Sequence, residues 1–165
     1  MKVSVEFAGA HDAAAITAIR RSTSEQLTIQ YGHGHWSSCP TERSVLRDIE
    51  KSRVLVARSG GVIVGTLGLD TQKPWAIDLK YFTVVPRAVY LRNMAVMPNL
   101  QRSGIGRYLL SQAKIAAKAW PSDAIRLDAY DADAGAGNFY AKCGFREIGR
   151  AAYRNTPLVY YEMLL

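Results

Sequence analysis

Six residues, Gln101 to Gly106 (QRSGIG), join an apolar, strand-like stretch (YLRNMAVMPN) to one with helical spacing (RYLLSQAKIAAKAW). Gly104 and Gly106 carry no side chain, so the amides from Arg102 to Arg107 can close around an anion. A helix that starts there adds its own unpaired N–H groups and the positive end of its dipole. Strand, glycine turn and helix in this order make a seat for phosphate. A nucleotide P-loop is excluded, because Arg107 and Tyr108 follow the second glycine where Lys-Ser/Thr is needed. A dinucleotide fingerprint is excluded too, since Leu109 stands where its third glycine belongs. Taken alone, the two glycines would serve equally well to cap and pack a helix.

The elements around this turn follow from periodicity. KVSVEFA alternates as a first strand. Residues 11–30 carry Ala15, Ile19 and Leu27 and form a helix beginning near Asp12, which YGHGHWSSCP then breaks. TERSVLRDIEKS is a second helix, with Thr41 as its N-cap. RVLVARS and VIVGTLGLD form a hairpin about Gly60-Gly61. Pro74 and Pro86 make 71–88 a long loop with at most one short strand, and VYLRNMAVM is a strand ended by Pro98. A helix follows with Ile105, Leu109, Ala113, Ala116 and Trp120 on one face. AIRLDAY alternates Ile125, Leu127 and Ala129 against Arg126, Asp128 and Tyr130. A short helix, N-capped by Asp133 and ended at Gly144, precedes the closing strands FREIGRAAY and LVYYEMLL. The order is β-α-α-β-β-β-α-β-α-β-β, a mixed α/β architecture.

At 165 residues, 48% apolar and 21% charged, the chain reads as one soluble domain, 1–165. No run approaches a membrane span, and Glu6, His11 and Asp12 interrupt any signal-peptide core, so a cytoplasmic location is expected. Two cysteines, Cys39 and Cys143, make no disulfide framework. The net charge is +7, and no acid lies between Asp78 and Asp123, a block holding Lys80, Arg87, Arg92, Arg102, Arg107, Lys114 and Lys118. Such a block serves as a solvated face, a partner for a phosphate-bearing ligand, or a nucleic-acid surface. His33, His35 and Cys39 are too loosely spaced, and lack a partner pair, to make a metal site; none is expected.

NMAVMPNLQRSGIGRYLL resembles the acyl-CoA pyrophosphate loop of the GNAT superfamily of N-acyltransferases, with its Gln/Arg-x-x-Gly-x-Gly/Ala signature. LDAYDADAGAGNFYAKCGF is similar to that family's following strand and helix, so the resemblance runs from about Val89 to Phe145. It implies the GNAT fold, a mostly antiparallel central sheet flanked by helices, and acetyl-CoA as cosubstrate with no metal. It further implies that the strand segment Met94, Ala95 and Val96 splays from its neighbour, pairs with the pantetheine arm and polarises the thioester carbonyl. The pyrophosphate would rest on the amides of Arg102, Ser103, Gly104, Ile105, Gly106 and Arg107. Tyr140 aligns with the tyrosine that protonates the departing thiolate, a role its chemistry suits: a phenol near 10 and a thiol near 8.5 exchange protons readily. The competing assignment for Tyr140 is a buried aromatic of a short helix. Asn138 is a candidate for the pantetheine or adenosine portion.

The sequence departs from the family where many members carry a glutamate before the splayed segment; here Arg92 and Asn93 stand there. An arginine at that place would suit an acceptor bearing a carboxylate or phosphate. The general base is then one of Asp70, Asp128, His33 and His35, or a water chain. The loop with His33, His35 and Trp36 is expected to wall the acceptor pocket. The expected activity is acetyl transfer to a primary amine by direct attack in a ternary complex, in a monomer or homodimer. The acceptor is a small molecule or peptide. The alternatives are a non-catalytic acyl-CoA-binding sensor or scaffold, favoured by the missing glutamate, and nucleic-acid binding, which the cofactor's phosphates make the weaker account of the basic block.

Overall fold

Alternation and helical stripes resolve, in a computed structural model describing residues 1–165, into seven strands and four α-helices. The strands are β1 (Val3–Phe7), β2 (Arg53–Ser59), β3 (Val62–Asp70), β4 (Ala88–Val96), β5 (Ala124–Tyr130), β6 (Arg146–Tyr153) and β7 (Thr156–Leu164). The helices are α1 (Ala13–Tyr31), α2 (Glu42–Lys51), α3 (Ile105–Ala119) and α4 (Gly137–Lys142). All strands join one sheet, ordered β1-β2-β3-β4-β5-β7-β6, antiparallel except for β4 beside β5. The expected element order holds.

Each strand sends alternate residues to opposite faces. Leu55, Ala57, Ile125, Leu127 and Ala129 pack with Ile105, Leu109 and Ala113 of α3 on one face. Val54 and Val56 pack with Ala13, Ile16 and Ile19 of α1 and Val45 of α2 on the other. Leu67, Leu109, Ile125 and Leu127 are buried almost completely. Truncating any of them to alanine would cost about 2–5 kcal/mol. The inward stripe of α1 is set by Ala13, Ile16 and Ile19, whereas Ala15, which the sequence placed on it, is exposed; the helix needs i, i+3 and i+6 to face the sheet.

Helix ends follow local chemistry. Thr41 caps α2 through Ser44 N–H···Oγ1 at 3.1 Å, as expected. Asp133 does not cap α4, which begins four residues later after Ala136 with no side-chain cap. Residues 71–87 form the expected long loop but contain no strand, only a turn of 3₁₀ helix at Leu79–Tyr81. A buried ion pair fastens this loop to the sheet. Arg126 Nε donates to Glu162 Oε2 at 3.1 Å, its Nη2 donates to the Thr83 carbonyl, and Thr83 N–H donates to Glu162 Oε1 at 3.3 Å.

Candidate active site

The site begins where two strands part. β4 and β5 pair only at Ala88, Val89 and Tyr90 with Ala124, Ile125 and Arg126, and beyond that rung they diverge. The cause lies in β4. Its register against β3 slips between Ala95, opposite Thr66, and Arg92, opposite Gly68, so three steps on β4 match two on β3. The extra residue is accommodated near Asn93, whose φ of 54° is left-handed. A β-bulge of this kind bends and twists its strand away from a neighbour, and Asn is among the few residues that tolerate αL. The bulge also resets the phase, so Leu91 and Met94, three apart, both meet the α3-side core. Met97 N–H donates to Val64 O at 2.9 Å, so Val96 and, by alternation, Met94 turn their main-chain groups toward the gap. The Val96 carbonyl there accepts from the Gln101 side chain at 3.3 Å. Ala95 is buried, as a narrow slot needs.

At one end of the gap lies the glycine turn. Backbone hydrogen bonding pairs the amide of Gln101 and resumes at Tyr108, which donates to Gly104 O at 3.0 Å; none of the amides from Arg102 to Arg107 donates to a protein acceptor. Six consecutive donors are thus left facing outward at the start of α3. Arg102 (φ 63°) and Gly104 (φ 91°) both take the left-handed conformation that turns the chain into the helix, and a Cβ on Gly104 would point into open space. At Gly106 an added Cβ would lie 3.1 Å from Phe139 Cζ and 3.3 Å from Met94 Cε, so this glycine also lets α3 pack closely against α4 and β4. The side chains of Arg102, Ser103 and Arg107 are exposed, and Ile105 is a core residue.

Tyr140 stands on α4 with its ring among Phe139, Phe145 and Tyr161. Its hydroxyl points at Met94 Sδ, 3.8 Å away. Burial first, and the charge of Asp128 second, hold the phenol well above its ordinary pKa, so it is a neutral O–H throughout the physiological range. Tyr140, Met94, Leu127, Asp128, Ala129 and Tyr130 line a cleft of about 360 Å³ in the gap between β4 and β5. Asn138 is exposed, two residues before Tyr140.

The four candidate bases separate clearly. Asp128 lines the cleft, where burial raises its pKa against the opposing pull of its own backbone amide and of Arg92. Asp70 is committed at both oxygens, to Gln72 N–H (2.9 Å) and Arg92 Nη1 (3.0 Å). His35 Nε2 bonds Thr156 Oγ1 at 3.0 Å, and His33 is exposed and lines neither the cleft nor the pocket beside it. His33, His35 and Cys39 do not converge on a metal-holding cluster. Arg92 also lines the cleft, and its Nη1 is paired with Asp70 at 3.0 Å.

The loop after α1 does form a wall. Trp36 packs edge-on to Tyr130 (centroids 5.9 Å), and Tyr130 donates its hydroxyl hydrogen to the His35 carbonyl at 3.2 Å. Behind it a second pocket of about 590 Å³, lined by Arg20, Ser24, Trp36, Asn93, Met94 and Tyr130, opens beside the cleft. Arg20, paired with Asp48 at 3.2 Å, escaped the sequence reading; nothing in a helix sequence marks one arginine as facing a pocket. Asn93 left a signal: the apolar spacing of LRNM steps by three where a regular strand steps by two.

A strand bulged away from its parallel neighbour, a neutral tyrosine in the gap and unpaired amides at the adjoining helix mouth define the N-acetyltransferase class. The family described as "Acetyltransferase (GNAT) family" matches residues 16–145, and the chain belongs to that family. Its fold is shared by the ribosomal-protein-alanine N-acetyltransferase from Brucella melitensis (TM-score 0.74, 20% identity, 98% of this chain and 99% of that one). It is shared by yncA from Salmonella typhimurium, solved with its cofactor acetyl-CoA (0.73, 19%, 99% and 94%). A third is the PaiA N-acetyltransferase from Thermoplasma acidophilum in complex with coenzyme A (0.73, 15%, 97% and 98%). Comparison with curated proteins gives no match. No helix is long and apolar enough to cross a membrane.

Proposed function

We propose that this protein transfers an acetyl group from acetyl-CoA to a primary amine by direct attack, both substrates being bound together. The observation that carries the proposal is the run of six unpaired amides, Arg102 to Arg107, opening beside a cleft that contains the Tyr140 hydroxyl. These amides have no protein acceptor and most belong to exposed residues, so a diphosphate can reach them and take charge-assisted bonds in place of water. Arg102 and Arg107 add cationic side chains at the same turn. In the segment Met94, Ala95 and Val96, the main-chain groups of Met94 and the N–H of Val96 offer a strand edge to an amide-bearing arm, and Asn138 carries a side-chain donor. Acetyl-CoA supplies the acetyl group already activated as a thioester.

Asp128 receives the proton of the attacking ammonium, which at a pKa of about 10 is otherwise nearly always charged. The new N–C bond forms as the C–S bond breaks, and Tyr140 gives its proton to the departing sulfur. The amine nitrogen loses its second proton to solvent, which reprotonates Tyr140 and takes the first proton from Asp128, so the products are an amide, the free thiol and one net proton. Main-chain N–H groups facing the gap stabilise charge on the carbonyl oxygen. The acceptor in the name of the Brucella melitensis enzyme, a ribosomal-protein alanine, is one member of the amine class to be tried here.

The test is thiol release from acetyl-CoA in the presence of small amines, amino acids, aminoglycosides and peptides. Release with at least one amine is expected. A protein that binds CoA yet releases no thiol with any of them is a sensor or scaffold, and the transferase reading falls.

A further inference from the structure

Arg92 and Asp128 each lie two residues beyond the last β4–β5 pair, Tyr90 with Arg126, where the two strands part. Parallel strands in register send such residues to the same face, and both line the cleft. Arg92 is fixed there from behind: its Nη1 donates to Asp70 Oδ2 at 3.0 Å, and Gln72 N–H holds the other Asp70 oxygen at 2.9 Å. Asp128 makes no ion pair of its own, although it is half-buried. The groups facing it are Tyr130 on its own strand, Tyr140 from α4, Tyr160 from β7 and Arg92 from β4. The tyrosines are neutral near physiological pH, and their pKa values are raised by burial first and by the charge of Asp128 second, so Arg92 is the cation that acts on this carboxylate. Arg20 of α1 stands beyond it, occupied by Asp48.

Building on the transferase reading, we propose that Arg92 is a positioning residue for the proton transfer: tethered by Asp70, it holds Asp128 ionised in the cleft without bonding it. Burial favours the protonated form of a carboxylate, and a cation within reach opposes that shift. A carboxylate in direct contact with a guanidinium would be a poor proton acceptor. An arginine anchored one strand away avoids both outcomes, leaving the carboxylate charged and its oxygens free. Arg92 therefore touches neither the amine nor the thioester and acts through Asp128.

The experiment follows Asp128 by carboxyl ¹³C NMR titration, alongside kcat/KM against pH, in wild type, Arg92→Gln, Arg92→Lys and Asp128→Asn. Arg92→Gln should move the Asp128 midpoint upward, and Arg92→Lys should restore it in part. The acid limb of kcat/KM should move with the midpoint, so that Arg92→Gln loses about 3- to 10-fold more activity near pH 6 than near pH 8.5. Asp128→Asn should be slow at every pH and lack that limb. Asp70→Asn, which removes the competing carboxylate and frees the guanidinium, should move the midpoint the other way, and it serves as the test if Arg92→Gln does not fold. An unmoved midpoint in Arg92→Gln, an equal loss at both pH values, or an upward shift in Asp70→Asn overturns the inference. Wild type that releases no thiol with any amine would instead refute the transferase reading, while the NMR titration still decides the role of Arg92.

Discussion

The Tyr140 hydroxyl lies 3.8 Å from the Met94 sulfur, bridging α4 and the bulged strand across the gap that β5 leaves. Burial keeps that phenol protonated, so it stands in the gap as a neutral O–H. Tyr140→Phe keeps the ring, and with it the packing against Phe139, Phe145 and Tyr161, and removes only the O–H. Turnover should fall by about 10²- to 10⁴-fold, the usual worth of a general acid, with CoA affinity little changed. Steady-state kinetics and calorimetry on one preparation check both halves; unaltered turnover removes Tyr140 from the mechanism.

Asn93 supplies the left-handed residue on which the divergence of β4 and β5 depends. Asn93→Gly should keep stability within about 0.5 kcal/mol of wild type, since glycine adopts that conformation freely. Asn93→Val should lose about 1–2 kcal/mol, because a β-branched residue resists αL. Urea midpoints distinguish the two. Equal stability in both variants would show that the bulge does not need this conformation.

Asp12 is buried at the start of α1, where Arg58 Nη2 meets Oδ1 at 2.6 Å and Gly9 N–H meets Oδ2 at 3.0 Å. Burial alone would raise its pKa, but the Arg58 and Gly9 hydrogen bonds outweigh it and the carboxyl titrates below its ordinary value. The folded state therefore binds fewer protons than the unfolded one in the acid range. The stabilisation is complete above about pH 4, the unfolded value, and fades as pH falls through the folded value. Asp12→Asn should cost about 1–3 kcal/mol at pH 7, the worth of a hydrogen bond to a charged group, and much less near pH 2.5. Chemical denaturation at the two pH values measures the difference; a gap that stays constant would refute the assignment.

The fold was legible because its signals are local. Alternation in 124–130, the stripe of α3, the Gly60-Gly61 turn and the Thr41 cap are each written within a few residues. The glycine turn before α3 and the short helix carrying Tyr140 were legible for the same reason, being contiguous motifs. What escaped depends on partners far along the chain. The pairing of Arg92 with Asp70 was not legible, because Asp70 lies 22 residues away on another strand. Nor was the close approach of the Phe139 ring to Gly106, because that ring belongs to α4. Asp133 read as a cap because two residues of turn chemistry, Ala134 and Gly135, look helical in a string of alanines and glycines. Choosing Asp128 over Asp70, His33 and His35 needed the gap itself, which exists only once β4 bulges.

The account stands or falls on the amides at the mouth of α3. Calorimetric titration of CoA into the wild-type protein, and into a Gly104→Val/Gly106→Val variant shown to be folded, tests them most directly. The Gly104 change opposes a φ of 91° and the Gly106 change drives against Phe139 and Met94, so both displace the donors. Wild type should bind with measurable heat and the variant at least about 10- to 100-fold more weakly, the worth of one or two charge-assisted hydrogen bonds. No heat from wild type, or equal affinity in the folded variant, would contradict it.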